Sequence, residues 1–438
     1  MTTSDNTNKK YLSKQELIVV KRNFRIFNLS VFFQTQLFLL PFLLLFYQSC
    51  GLTVGDFFLF QGVFSLAALL LEIPMGYLGD IFPKKNILIL SYTFYVIRCM
   101  LWLFFARYGY WIILIGEILF AAQKTTFTGV SDSYIYEYLK HYNIPQKMAK
   151  HYGTMNFFLA FGTAFSVFIS TPIYAIVSKY TLAEYGHNYA FFVLISLELI
   201  LNLAAIGLLS RLPTFSQTPL PKGTLKKSYQ RLFQSITWMA KNTNIRYHVL
   251  YSGLLNAITL VFAWSFQPIM KFLLFPVSLY GVVYFMNHSL RAFSSLCIDK
   301  IGNFISLSKM SLLTFVLFII GFMGTFVIFT IPTISPYWGL LYFFFISLTI
   351  GIQLAFRLLC DCRLHTFIPS EMRATLSSVN TATSRLYAAF FFVLMKILLD
   401  GASIQSTFVI CFIIFVILSF PLKDVYTIQS QEDHYATK

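Results

Sequence analysis

The sequence predicts an all-α integral membrane fold, with twelve transmembrane helices in two pseudo-symmetric six-helix bundles. Three observations carry that expectation. The 438 residues are 57% hydrophobic and 11% charged, where a soluble domain holds about 25% charged residues. That leaves too little polar surface to cover a water-soluble globule. The apolar residues fall into twelve stretches, close to the roughly 20 residues a helix needs to cross a bilayer. The alternating ~10-residue segments of a membrane β-barrel are absent. The two halves of the chain also echo each other, as internally repeated membrane proteins do.

Taken in order, residues 1–25 are polar and basic and read as a cytoplasmic N-terminal segment. No small-residue cleavage site follows a short apolar core there, so no cleavable signal peptide is expected. Apolar spans follow near 26–48, 55–79, 86–106, 110–136, 151–177 and 188–210, which make a first bundle over 26–210. The polar stretch 211–246 reads as a cytoplasmic linker. Pro213, Pro219, Pro221 and Gly223 break its start, and 225–239 has the composition of a surface helix. Spans resume near 247–270, 279–298, 304–330, 336–360, 374–399 and 404–421, a second bundle over 247–421 before a cytoplasmic tail at 422–438.

The net charge of +16 has a membrane explanation. Basic residues gather before span 1, at Lys84 and Lys85, at Lys140, Lys147 and Lys150, and between Arg211 and Arg246. The alternate loops hold little beyond Arg107 and Lys179. This asymmetry is the positive-inside pattern and places both termini in the cytoplasm. Nucleic acid is therefore not an expected partner; the bilayer is. The six cysteines lie in or beside apolar segments and are taken as packing residues, and Cys360-Asp361-Cys362 is too sparse for a metal site. No metal and no cofactor are expected. A phosphate-binding GxxxxGK[ST] loop is missing, so ATP is not the expected energy source.

The internal echo appears twice. "EYLKHYNIPQKM" follows span 4 and "DCRLHTFIPSEM" follows span 10. Glu137, His141, Ile144, Pro145 and Met148 match Asp361, His365, Ile368, Pro369 and Met372 in register. Asp80 closes span 2 and Asp299 closes span 8, each before a short basic loop.

The stretch "GYLGDIFPKK" resembles the loop between helices 2 and 3 of the major facilitator superfamily. Gly76, Leu78, Gly79, Asp80, Lys84 and Lys85 match that signature, and Asp299, Lys300 and Gly302 form a weaker second copy. "IPSEMRATLSS" at 368–378 is similar to the start of helix 11 in many members. The sequence departs from the signature at Ile81 and Pro83. It also lacks the Arg-x-x-x-Gly pattern of proton-coupled members in span 4 and the Gly-Pro-x-x-Gly-Gly pattern of drug/proton antiporters in span 5; both absences weaken a multidrug-efflux assignment, and the span 4 text from Gly129 to Leu139 resembles a divergent branch. The resemblance implies alternating access around a cavity lined by helices 1, 4, 7 and 10. It also implies that Asp80 latches onto the start of a helix from the other half, as a carboxylate at a positive helix N-terminus would. Gly76 and Gly79 are expected to let helix backbones approach closely.

Charges inside spans are costly and mark paired or functional sites. Glu117 is the first candidate for proton coupling and Glu72 the second. Glu72 lies eight residues before Asp80, and Arg291 lies eight before Asp299, so the two are expected either to pair across the halves or to pair within them, Glu72 then with Arg98. Glu198 in span 6 is a further intramembrane charge. The candidate substrate cavity comprises Gln34, Gln36, Lys124, Asn256, Gln267, Gln353, Arg357 and Arg385. A salt-bridge network is expected among Arg98, Arg291, Glu137, Asp361 and His365, the last two closing an i, i+4 ladder from Gln353 through Arg357. The function expected is secondary-active transport of a small organic solute, coupled to protons, by a monomer in a bacterial inner membrane. The alternative is proton-driven efflux of drugs or siderophore-like compounds. A membrane-embedded enzyme using His141 or His365 is a distant third, and no catalytic residue is assigned.

Overall fold

A computed structural model describes residues 13–144, 147–180, 186–215, 224–296, 305–331, 335–367 and 373–420. Among the described residues the chain forms fourteen α-helices rather than the twelve expected. They are α1 (Lys14–Gln34), α2 (Leu43–Ser49), α3 (Val54–Ile81), α4 (Lys84–Phe105), α5 (Tyr110–His141), α6 (Met148–Tyr180), α7 (Gly186–Ser210), α8 (Thr224–Lys241), α9 (Thr243–Phe272), α10 (Tyr280–Leu296), α11 (Leu307–Thr330), α12 (Pro336–Phe367), α13 (Arg373–Gly401) and α14 (Ile404–Ser419). Eight of these are long and apolar enough to cross a membrane.

Two helices lie outside the expected count. One is α2, because the first apolar stretch is broken between Gln34 and Leu43. The other is α8, in the polar stretch between the halves. Its Trp238 and Met239 pack against Val249 and Val379, while Phe233 stays 66% exposed. Free aromatic surface on a short helix between the halves suits the plane of a membrane interface.

Local chemistry sets the helix ends. Ser13 and Glu16 form a capping box at α1, and Thr53 and Asp56 form another at α3. Each satisfies N–H groups that the first turn leaves orphaned. Pro83 separates α3 from α4.

The break in the first span is the least expected feature. Its bare backbone groups are met by side chains of other helices. Leu37 N–H donates to Ser166 Oγ on α6 at 2.9 Å, and Leu39 N–H donates to Glu198 Oε1 on α7 at 2.8 Å. Leu44 N–H donates to Gln267 Oε1 on α9 at 2.6 Å, while Gln267 Nε2 donates to Leu40 O at 2.9 Å. Irregular backbone at membrane depth persists only where protein satisfies it in this way. Gly162 on α6 lies against Thr35 at the same place, with no room for a side chain.

The halves before and after α8 are tied together at the end that carries loops 50–53 and 273–279. Lys271 Nζ donates to Gln48 Oε1 at 2.6 Å, Gly281 N–H donates to Thr171 Oγ1 at 2.8 Å, and Lys396 pairs with Asp56 at 3.1 Å. Phe42 stacks near Tyr280, Phe57 meets Trp264 edge-on, and Phe58 lies against Phe392. The opposite end is looser around α3. A Cβ built on Gly76 would find nothing within 4 Å, and the Asp80 side chain is 61% exposed.

Candidate functional site

The densest buried chemistry joins α4, α5 and α7. Arg98 on α4 sits between two carboxylates, 3.6 Å from Glu117 Oε1 on α5 and 3.9 Å from Glu198 Oε2 on α7. All three side chains are 5% exposed or less. Tyr47 OH donates to Glu117 Oε1 at 2.7 Å, and Tyr95 OH donates to Glu198 Oε2 at 2.8 Å. The guanidinium carbon lies 3.7 Å from the Trp102 ring centroid and 4.7 Å from that of Phe120. Aromatic faces hold a cation by their quadrupole and keep water out, so the ionic attractions act in a low dielectric.

The free space beside this triad is about 20 Å³, bounded in part by Leu39, Leu43 and Trp264. That is room for one water and none for a solute. A larger cavity of about 200 Å³ opens beside Cys50, Trp102 and Phe191, with Arg107 as its single charged lining residue. None of the three triad side chains lines it, though Trp102 stands between it and Arg98. The space beside the triad thus has no room for a solute, and the triad's link to the helix break is direct. Glu198 binds Arg98 and Tyr95 through one oxygen and the Leu39 backbone through the other.

The profile of the Major Facilitator Superfamily matches residues 26–364. The chain belongs to that superfamily.

Solved structures agree on the fold. A mutant of the nucleoside transporter NupG superposes with a TM-score of 0.71 at 13% identity, covering 93% of this chain and 99% of that one. A bacterial homologue of the human lysosomal transporter Spinster, inward-facing and unoccupied, gives a TM-score of 0.66 at 13% identity over 95% and 98% of the two chains. A D-xylose–proton symporter gives 0.66 at 12% identity over 93% and 97%. No curated protein sequence matches. This facilitator is thus a multi-pass membrane protein with a transporter fold.

Placed in that fold, the residues singled out from sequence divide into groups. Glu117 is in the triad. Arg98 is bound there by Glu117 and Glu198, so it is not the partner of Glu72. Arg291 forms no ion pair among the described residues, which corrects the expected Glu72–Arg291 bridge; its charged neighbour is Arg357. The charge acting on Glu72's side of the protein is Arg385. The expected network of Arg98, Arg291 and Glu137 is not assembled: Glu137 sits near Lys84, Asp80 and Lys140. The side chains of Asp361 and His365 lie outside the described residues, as do Asp299, Lys300 and Gly302.

In the facilitator loop, Lys84 Nζ donates to Gly79 O at 2.5 Å and to Asp80 Oδ1 at 3.3 Å. Asp80 is thus held within its own loop and does not reach the other half. Lys85 Nζ donates to Ser210 O and Leu212 O, both at 2.7 Å, which fastens α4 to the end of α7. Gly79 meets Val130 on α5, so a Cβ there would stand 2.7 Å from its Cγ2. Gly76 makes no such approach, contrary to expectation. Leu78 packs at the edge of the core formed by α1, α4 and α5.

Among the cavity candidates, Gln267 is committed to the helix break and to Tyr284 OH at 2.8 Å. Gln36 Nε2, just past the end of α1, donates back to Phe32 O of that helix at 2.7 Å. Gln34 is buried with neither amide atom bonded. Arg357 Nη1 donates to Asn256 Oδ1 at 3.2 Å. Gln353 is buried with Nε2 unbonded, and Lys124 and Arg385 lie over the rings of Phe120 and Phe64. Tyr47, Tyr95 and His288 carry site chemistry that sequence reasoning did not single out. The count of one arginine against two glutamates in spans 3, 4 and 6 was the available signal for the triad.

Proposed function

We propose that this chain is a secondary-active transporter that moves a small organic solute by alternating access and couples it to protons at the Arg98–Glu117–Glu198 triad. The observation that carries the reading is the charge count in a dry site. Two carboxylates face one guanidinium, so the fully ionised triad bears one negative charge, and one added proton makes it neutral. Net charge at membrane depth is costly, so gain or loss of that proton is a strong lever on the surrounding helices. Glu198 passes the change to the broken first span through Leu39 N–H. Discontinuous helices next to ion sites are a recurrent device of secondary transporters.

The reading includes two six-helix halves joined by a cytoplasmic linker and a place in a bacterial inner membrane; the pattern of basic loops supports its orientation. With the termini in the cytoplasm, the tied end faces outward and the looser end faces inward. Asp80 on this reading is a latch held in reserve: it is exposed in the inward-open state and closes on the other half when the cytoplasmic side shuts.

The test is proton movement. Purified protein in vesicles loaded with a pH dye is exposed to solutes of several classes. One class is expected to move the internal pH, and Glu117→Gln or Glu198→Gln should cut that proton flux at least tenfold while solute binding persists. Solute uptake that never moves protons in the unmodified protein would overturn the coupling.

A further inference from the structure

The chamber of about 20 Å³ beside the triad is walled almost wholly by the first half. The broken first span, α4, α5 and α7 supply its sides, and a single lining residue, Trp264 of α9, comes from the second half. Trp264 also meets Phe57 of α3 edge-on, with ring centroids 5.9 Å apart. One indole thus closes a first-half chamber from across the interface.

The rest of α9 shows what lies on the other side of that indole. From Tyr251 to Met270 every residue is buried except Asn256, Leu260, Ala263 and Trp264. Those four recur at i, i+4, i+7 and i+8, which is one stripe of a helix. Farther along the stripe, Gln267 bonds Leu44 N–H at 2.6 Å and Leu40 C=O at 2.9 Å, and Lys271 Nζ reaches Gln48 Oε1 at 2.6 Å. The stripe therefore faces the first half. Toward the loose end, at Asn256 and Leu260, it has open space in front of it. Beyond Trp264, toward the tied end, it is fastened down. Trp264 stands at the change, between the open space and the triad's chamber. Pro268, inside α9, offers no N–H to the Trp264 carbonyl, so the helix bends most easily at this turn.

We propose that Trp264 is the gate for the triad's proton. In this state its indole separates Glu117 and Glu198 from water between the halves, while the Gln267 and Lys271 contacts shut the tied end. The carboxylates are dry on both sides and keep their proton count. When the tied end opens, Gln267 and Lys271 release the first half, α9 bends at Trp264, and the indole leaves the chamber. Outside water then reaches the carboxylates, and one of them takes a proton from that water or returns one to it. No other donor or acceptor enters the step. The other polar groups at the chamber all stay in the first half. Arg98 and Tyr95 line it, Tyr47 OH binds Glu117 at 2.7 Å, and Lys124 lies 5.2 Å over the Phe120 ring. Because the plug belongs to one half and the carboxylates to the other, proton exchange follows the relative position of the halves. This inference rests on the proton-coupling reading above and names the residue that times it.

The test is proton leak in vesicles of the full-length protein under a pH step, with no solute present. Without the indole, the chamber is wet from the loose end in this state and from the other side once the tied end opens. The triad then loads on one side and unloads on the other. Trp264→Ala should pass protons about tenfold faster than the unmodified protein, a modest change in barrier. Trp264→Leu should leak in the same sense and serves if the alanine variant does not fold. Trp264→Phe keeps a ring at the chamber and should hold the leak near that of the unmodified protein. Adding Glu117→Gln and Glu198→Gln to the leaking variant should abolish the leak, because the path runs through the carboxylates. A leak that survives both glutamines would mark a simple hole and overturn the proposal. So would Trp264→Ala or Trp264→Leu vesicles that hold the pH step as well as the unmodified protein; solute-linked proton uptake persisting in them would leave the triad reading intact. Unmodified protein in which no solute moves protons would sink the coupling and its gate together.

Discussion

At the scale of single residues, Arg98 is the side chain on which most depends. It alone offsets two buried carboxylates. Removing one partner from a buried charged network costs about 3–5 kcal/mol, because the remaining charges stay buried without compensation. Arg98→Met is therefore expected to lower the thermal midpoint of the purified protein sharply. Adding Glu117→Gln and Glu198→Gln to it should restore much of the loss, because no charge then remains, while proton coupling stays absent. A triple variant no more stable than Arg98→Met would refute the charge-balance account. Sequence gave access to part of this site. Arg98, Glu117 and Glu198 stand out as charges in apolar spans, but which carboxylate meets which cation depends on helix rotation and depth. Those are set by packing, and equal offsets from Asp80 and Asp299 do not by themselves bring Glu72 to Arg291. Tyr47 and Tyr95 were invisible among 26 tyrosines.

At the scale of elements, the break in the first span decides what the helix can do. The expected span at 26–48 read as one apolar run, and "QTQLFLLP" at 34–41 offered only Pro41 and two glutamines as a hint. The break became visible once Ser166, Glu198 and Gln267 were seen to supply its missing hydrogen bonds. Gln267→Leu would leave Leu44 N–H bare, at about 1–3 kcal/mol for an unsatisfied buried group, while Leu40 C=O would keep only its bond from Leu43 N–H. That variant should fold with a lower midpoint and lose transport more than binding, because the pivot between α1 and α2 is what it loosens. Transport at the unmodified rate in Gln267→Leu would show the break to be incidental. By contrast, α3 and α4 begin where sequence says they should, since a capping box and a proline are local signals that no tertiary contact overrides.

At the scale of the whole molecule, one face is shut. Asp56 serves twice there: it caps α3 through Thr53 and pairs with Lys396 of the other half. Partly exposed pairs of this kind contribute about 0–1 kcal/mol, so their loss will not unfold the protein. A shift of that size still changes the balance between two open states several-fold. Asp56→Cys with Lys396→Cys, joined by a short bifunctional reagent, should cross-link readily in this state and stop transport, with reduction of a cleavable linker restoring it. Full transport after complete cross-linking would mean that this face does not open in the cycle. The overall helical membrane architecture was legible because bilayer thickness writes itself into the length of apolar runs. The state of the gate was not legible, since both states are made from the same residues.

The hydrogen bonds of the broken span also bear on how the protein is made. Its backbone enters the membrane early, yet the groups that satisfy it belong to α6, α7 and α9. Until Ser166 and Glu198 have been synthesised and inserted, bare peptide groups at 37 and 39 face lipid or the insertion machinery. The first span must then either wait in a polar shelter or begin as a continuous helix that breaks late. Ribosome-bound chains that end before α7 would accordingly hold this segment in a protease-sensitive form that chains extending past α9 no longer show.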